Sequence, residues 1–274
     1  VDPATVTVIS NTGDDVEMFG LHVSPDVDIV IYAMAGAVNP ETGWGLAGDS
    51  LNVVEALGRF GYGRWFNLGD KDLATCIHRT RLLREGVPMD EIVAGIASAY
   101  GLGCRVLPMS NDPVRTKIFG PEGEIPFQDY MVRLRTDVDV HEIRFAGAEA
   151  AKPAPGVIEA IRDAQTVILA PSNPLVSIGP ILAVPGIRDA LAGSKARRAA
   201  ISPTSLPHSA LGEELLVLGG EQHVDLLGQQ REPLQAVAVA HELEGHLAGR
   251  LHPLAVAAQR REAQVAAALL ALPH

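Results

Sequence analysis

Apolar and polar positions alternate along the chain in short blocks of two kinds. Thr5-Val6-Thr7-Val8-Ile9-Ser10, Arg105-Val106-Leu107-Pro108 and Thr166-Val167-Ile168-Leu169-Ala170 are brief, β-branched and apolar, the pattern of buried strands. Between them run stretches with apolar residues at helical spacing: 51–59, stopping at Gly61; 72–85, stopping at Gly86; 90–100; and 157–163. Ser24-Pro25-Asp26-Val27-Asp28 has a helix start, with Ser at the cap, Pro at the first helical position and acids in the first turn. A hairpin is expected from 116–119 and 127–134, joined around Gly120-Pro121-Glu122-Gly123.

Strand-loop-helix alternation of this kind predicts a doubly wound α/β fold, a mostly parallel, Rossmann-like sheet covered by helices on both faces. The hairpin predicts a small inserted α+β subdomain near residues 110–140. The expected core spans 1–202. Beyond Ile201 the pattern changes: no Ile, Met, Phe, Tyr, Trp, Cys, Lys or Asn occurs, and six of the nine histidines fall there. The lost types mostly have A/T-rich codons, so a frame-shifted end of a G/C-rich gene fits residues 203–274. An Ala/Leu-rich helical tail fits as well. On either reading this tail is expected to be helical or disordered and not to complete the sheet.

Composition narrows the function. With 274 residues and 47% apolar content, the chain can bury a sizeable core. Its formal net charge of −11 argues against general affinity for nucleic acid or anionic membranes, though a local cationic pocket remains open. Cys76 and Cys104 form neither a disulfide framework nor metal-ligand spacing, which suits a reducing cytoplasm. The start Val1-Asp2-Pro3 has no signal-peptide pattern, and no apolar run is long enough to span a bilayer.

In open parallel sheets ligands bind beyond the carboxyl ends of strands. Three loops are expected there: Asn11-Thr12-Gly13-Asp14-Asp15, Phe66-Asn67-Leu68-Gly69-Asp70-Lys71-Asp72 and Pro171-Ser172-Asn173-Pro174. Asp14, Asp15, Asp26 and Asp28 place four hard oxygen donors close in sequence, a set that suits Mg²⁺ beside substrate phosphates. The same acids could equally shape a turn and decorate a helix start. Asp70 and Asp72 read as an acid pair or as the cap and first turn of a helix, with at least one capping. Arg79, Arg81 and Arg84 cannot share one helix face and read mostly as solvated. Ser172-Asn173 can offer donors to phosphate oxygens. His241-Glu242-Leu243-Glu244-Gly245-His246 spaces its histidines by five rather than four, so a zinc site is not expected. There is no Gly-x-Ser-x-Gly elbow of a serine hydrolase.

Taken in order, several of these segments resemble the 2-phospho-L-lactate transferase family of coenzyme F420 biosynthesis. They are Asn11-Thr12-Gly13-Asp14-Asp15, Ser24-Pro25-Asp26-Val27-Asp28, Gly43-Trp44-Gly45, Leu68-Gly69-Asp70-Lys71-Asp72, Met109-Ser110-Asn111-Asp112-Pro113-Val114 and Pro171-Ser172-Asn173-Pro174. The resemblance runs from about Val6 to Pro203. It implies an Mg²⁺-dependent transfer of a phospholactyl or phosphoenolpyruvyl group from a guanosine diphosphate-linked donor to the hydroxyl of the deazaflavin Fo, with release of GMP. It implies acceptor contacts at Asp28 and Asn67, metal contacts at Asp14 and Asp26, further substrate contacts at Ser172 and Asn173, and a cytoplasmic homodimer.

Some positions depart from the family pattern. Some relatives have Lys where this chain has Asn67, and Cys76 stands where a His is usual. The family's first strand and Gly-rich loop would lie upstream of Val1. A related non-catalytic class, nucleotide-sugar-binding regulators of the gluconeogenesis-factor type, continues differently after the paired acids. Val16-Glu17-Met18-Phe19-Gly20 favours the transferase. A nicotinamide dehydrogenase would call for a Gly-x-Gly-x-x-Gly loop, which the chain does not show.

Overall fold

A computed structural model describes residues 1–200, apart from Arg64, Pro171 and Pro174, together with the backbone of residues 236–240. In chain order the strands are β1 (Val6–Ser10), β2 (Val16–Met18), β3 (Leu21–Val23), β4 (Arg105–Pro108), β5 (Arg115–Gly120), β6 (Gly123–Ile125), β7 (Glu142–Ala146), β8 (Thr166–Leu169), β9 (Arg197–Ala200) and β10 (Ala236–Ala240). The helices are α1 (Pro25–Met34), α2 (Asn52–Leu57), α3 (Asp70–Arg84), α4 (Met89–Ala99), α5 (Val157–Asp163), α6 (Ile178–Ala183) and α7 (Ile187–Gly193).

The main sheet has the order β4-β1-β10-β8-β9, and every pairing in it is parallel. Successive side chains on a strand point to opposite faces, and the core divides accordingly. Val6, Val8 and Val106 pack with Val27, Ile31, Ile92 and Val93 of α1 and α4. Their neighbours Ile9, Leu107 and Val167 pack with Ile161, Ile181 and Ile187 of α5, α6 and α7. The fold is therefore mixed α/β, with helices on both faces of a parallel sheet.

The structure changes several sequence expectations. The strand Ala236–Ala240 lies between β1 and β8, aligned Val6 to Ala236 on one side and Ala236 to Thr166 on the other. The expectation that nothing past residue 202 joins the sheet is thus corrected for these five residues. The rest of the 203–274 tail, including the His241 and His246 spacing, lies outside the described residues.

The predicted hairpin has a different second arm. β5 turns at once into β6, and β7 pairs on the far side of β5, giving an antiparallel sheet ordered β6-β5-β7. Residues 127–134 are not a strand. They contain a single π turn, Asp129–Arg133, that buries Tyr130 and Met131 beside Phe127. Spacings of three and four are helical, and that period overrode the strand reading.

A second hairpin, β2–β3, had no place in the sequence expectation. Its two-residue turn, Phe19-Gly20, has positive φ at both positions (56° and 73°), the conformation that matches strand twist. Phe is an unusual residue there, which hid the turn.

Candidate functional site

Polar burial is concentrated beyond the carboxyl end of β1. Asn11, Thr12, Asp14, Asp15, Ser24, Asp26 and Asp28 are all buried, as is Arg79 of α3. Burial of charge on this scale needs compensating partners, and the structure supplies several of them. Asn11 donates from Nδ2 to Asp26 Oδ2 (2.8 Å), and its own Oδ1 accepts from Gly13 N (2.7 Å). Asp15 accepts from Ser24 Oγ (2.5 Å) and pairs with His22 Nε2 (2.8 Å). Ser24 thus stands at the start of α1 as expected, but its hydroxyl holds Asp15 and does not cap the helix. Arg79 forms an ion pair with Asp28.

Gly13 has no room to be anything else. A Cβ there would lie 2.8–2.9 Å from Thr116 Oγ1, Asn11 Oδ1 and the Pro180 Cβ. The backbone ties the same loop to the antiparallel sheet, through Thr116 N donating to Gly13 O (2.7 Å).

Two cavities flank this buried cluster and share Phe66. The larger, about 500 Å³, is lined by Gly13, Asp14, Asp15, Tyr62, Trp65, Arg115, Lys117 and Gln128, among others. Arg115 donates to two carbonyl oxygens, Val114 O (2.7 Å) and Thr12 O (3.4 Å), and to no carboxylate among the described residues. Lys117 is paired with Glu124 (2.8 Å). The smaller cleft, about 70 Å³, is lined by Asp28, Tyr32, Trp44, Gly45, Asn67 and Asp72 together with Val23, Pro25, Ile29, Phe66 and Leu68. No Lys, Arg or His among the described residues lines it.

Burial sets the protonation of these groups. It pushes the Asp26 carboxyl up to about 7, opposed by the Asn11 hydrogen bond and reinforced by Asp15. It pushes Asp72 up to about 6, with Asp28 adding to the rise. Asp28 is also raised by burial, while Arg79 pulls the other way and favours the ionised form. Burial pushes the Cys76 thiol up to about 12, so it packs as a neutral side chain and is no nucleophile at neutral pH.

The predicted site residues are thus distributed over distinct places. Asp28 and Asn67 meet in the small cleft, and Asp14 lines the large cavity. Asp26 lies against Asn11, with its Oδ1 buried and without a hydrogen-bond partner among the described residues. Ser172 and Asn173 line neither cavity. Asn173 Oδ1 instead accepts from Leu175 N (2.9 Å) and Val176 N (3.3 Å), shaping its own turn. That turn reaches the site through Val176 O, which accepts from Asn11 Nδ2 (3.4 Å).

The loop 66–72 does not follow a strand of the parallel sheet, as expected, but leads into α3 from α2. It is fixed by exchanged caps. Asp49 accepts from Lys71 N (2.9 Å) and Asp72 N (3.3 Å) at the start of α3, while Asp70 accepts from Val53 N (3.0 Å) at the start of α2. Asp70 therefore caps the neighbouring helix and not its own. A side chain at Gly69 would collide with the Asp49 carboxylate.

Arg79 is the main residue that sequence reading missed. Cys76 and Thr80 on either side of it are buried, so its place on the apolar stripe of α3 was the available signal.

A parallel α/β sheet with a buried polar loop and two adjoining cavities beyond its strand ends is a small-molecule-binding architecture of the open-sheet class. Comparison with known sequences makes this specific. The family described as 2-phospho-L-lactate transferase CofD matches residues 2–215, and the chain belongs to that family. It is 47% identical over 205 residues to a phosphoenolpyruvate transferase of Streptomyces griseus, covering 73% of this chain and 64% of that one. A phosphoenolpyruvate transferase of Streptomyces coelicolor is 45% identical over the same shares. One of Mycobacterium sp. (strain JLS) is 40% identical over 228 residues, 80% of this chain and 69% of its own. The chain thus spans about 64% of the length of the first two relatives. No helix among the described residues is long and apolar enough to cross a membrane.

Proposed function

We propose that this chain carries the substrate-binding core of a phosphoenolpyruvyl transferase of coenzyme F420 biosynthesis. The donor is guanosine diphosphate-linked enolpyruvate, the acceptor is the terminal hydroxyl of the deazaflavin Fo, and GMP is released. The names of the relatives favour enolpyruvate over lactate. The observation that carries the reading is the pair of cavities sharing Phe66, of which only the larger has cations among its described lining residues, Arg115 and Lys117, beside the acids Asp14, Asp15, Glu17, Glu124 and Asp129. The larger has Arg115, a guanidinium without a carboxylate partner among the described residues, and suits the anionic donor. The smaller has acids and an amide but no cation among the described residues, and suits a neutral acceptor rich in hydroxyls. We read the five-stranded sheet beneath as the core of a doubly wound, Rossmann-like domain.

Mg²⁺ fits the residues present. Asp14 and Asp26 are hard oxygen donors, and Asp26 Oδ1 is a buried carboxylate oxygen without a partner among the described residues. No group of three or more His, Cys, Asp or Glu side chains that could hold a metal occurs among those residues. Mg²⁺ commonly takes one or two carboxylates plus substrate phosphates. When bound, the ion would neutralise phosphate charge on the donor.

The chain itself positions the reactants. Arg115 holds donor phosphate oxygens, Asp28 and Asn67 hold the acceptor, and Phe66 sets the boundary where they meet. A bond forms from the acceptor oxygen to the phosphorus bearing enolpyruvate, and the bond from that phosphorus to the bridging oxygen breaks. GMP leaves with that oxygen, and the hydroxyl proton is released to solvent. Placement and charge supply most of the acceleration in such transfers.

The test uses the full-length protein with Fo and the donor, following GMP release. Asp26→Asn is expected to lower turnover by roughly a hundredfold or more while the protein remains folded, the scale of several kcal/mol of lost charge stabilisation. Near-normal turnover of that variant at limiting Mg²⁺ would remove Asp26 from the metal site. Absence of GMP release by the wild-type protein would overturn the reaction.

A further inference from the structure

Arg79 is the largest fully buried side chain among the described residues. Its guanidinium carries a permanent charge, so taking it out of water costs several kcal/mol unless its surroundings compensate. Compensation here is narrow. One terminal nitrogen pairs with Asp28 Oδ1, the other donates to His22 O (3.3 Å), and Nε has no hydrogen-bond partner among the described residues. Apolar side chains of similar volume can often replace a buried pair without loss of stability. An ion pair in which one member is fully enclosed and the other opens onto a cleft has a different logic.

Asp28 is that other member. Its Oδ1 is taken by Arg79, no described residue donates to Oδ2, and the residue lines the small cleft beside Asn67, Tyr32 and Asp72. Arg79 does not line the cleft. We propose that Arg79 is a positioning residue: from inside α3 it clamps the Asp28 carboxylate so that its second oxygen is presented to a hydroxyl group of the acceptor.

Two hydrogen bonds make the clamp stiff. β3 docks on α3 through His22 N donating to Thr80 Oγ1 (2.7 Å), while Thr80 Oγ1 donates to Cys76 O (2.6 Å). The guanidinium is thus held between the backbone of β3 and the first turn of α1. An ionised carboxylate is an acceptor only, so the presented oxygen selects hydroxyl or amine donors and repels phosphate. The inference rests on the reading of the small cleft as the acceptor site.

The experiment is a double-mutant cycle on the full-length enzyme, with KM measured separately for acceptor and donor in Asp28→Asn, Arg79→Met, Arg79→Lys and Arg79→Met/Asp28→Asn. Arg79→Met is expected to raise the acceptor KM about tenfold or more, the effect of misaligning one hydrogen bond to a charged group, and to leave the donor KM unchanged. Arg79→Lys should recover part of the loss, since it keeps the charge but not the fork. The double variant should be no worse than Asp28→Asn alone. If Arg79→Met does not fold, the comparison of Arg79→Lys with wild type, and of the double variant with Asp28→Asn, carries the same information.

An acceptor KM that responds to Asp28→Asn but not to any change at Arg79 overturns the positioning role alone. So do losses that add in the double variant. An acceptor KM indifferent to Asp28→Asn overturns the acceptor-cleft reading itself, and the positioning role with it.

Discussion

At the carboxyl end of β1, Asp14, Asp15, Asp26 and Asp28 are 1–7% exposed, whereas across β5–β7 the acids Glu124 and Glu142 stand in solvent. The exposed acids have simple partners: Lys117 for Glu124, at 2.8 Å, and Arg144 for Glu142, at 2.5 Å. Each is a surface pair of the kind that adds about 0–1 kcal/mol and weakens with salt. The buried acids instead rely on an assembled set of hydroxyls, amides, one imidazole and one enclosed guanidinium. The same residue type is therefore replaceable in one region and interdependent in the other. Of these four buried acids, Asp15, Asp26 and Asp28 are each held by a specific partner.

The sharpest way to break this contrast is Arg79→Met. It leaves the largely buried Asp28 without its counter-charge and is expected to cost about 3–5 kcal/mol in denaturant unfolding. Adding Asp28→Asn should restore much of the loss, since the uncompensated charge is then gone. If Arg79→Met is as stable as wild type, the buried region is no more interdependent than the surface.

Gly13→Ala probes the crowding around the same acids. Its methyl group would press on Thr116, Asn11 and Pro180, and an overpacking cost of about 1–3 kcal/mol is expected in thermal melts. An unchanged melting temperature would mean that the loop can shift.

Asp72→Asn sharpens the comparison through pH. Burial raises this carboxyl to about 6, so between pH 4 and 6 the folded protein holds a proton that the unfolded chain has released. Stability contributed by the protonated form is full near pH 4 and is lost as pH rises towards 6. The asparagine variant should lack this component and gain about 1–2 kcal/mol over wild type at pH 7. Parallel stability profiles for the two proteins would show that Asp72 is ordinarily solvated.

The smallest effect belongs to the surface. Lys117→Met is expected to change stability by less than about 1 kcal/mol, measured by the same melts at low and high salt. A larger loss would place the inserted sheet's charges among the interdependent ones.

Much of the scaffold was legible because its signals are local. The start of α1 at Pro25, the bounds of α5 and β4, and the helix stops at Gly61 and Gly86 all follow from capping chemistry and period. What the sequence hid are pairings made at a distance. The exchanged caps of Asp49 and Asp70, the insertion of Arg79 under Asp28, and the Asp15 contacts to Ser24 and His22 each join residues whose neighbours in sequence say nothing of the partner. The family motifs had pointed to Asp14, Asp26, Asp28 and Asn67. They carried no sign of Arg79 or of the cation Arg115, since neither lies in a motif that the resemblance marked as site-forming.

The place of β10 bears on how the molecule is made. Strands that pair side by side stand about 4.8 Å apart, so β1 and β8, which both pair with β10, have a gap one strand wide between them until residues 236–240 arrive. While a ribosome is still extending the chain, β1–β4 and β8–β9 can form only as two half-sheets, each with a raw edge toward the missing neighbour. Such edges recruit stray strands from other chains. The interval between synthesis of β9 and of β10 therefore leaves both half-sheets exposed to misassembly, and the arrival of β10 also closes the floor beneath the site.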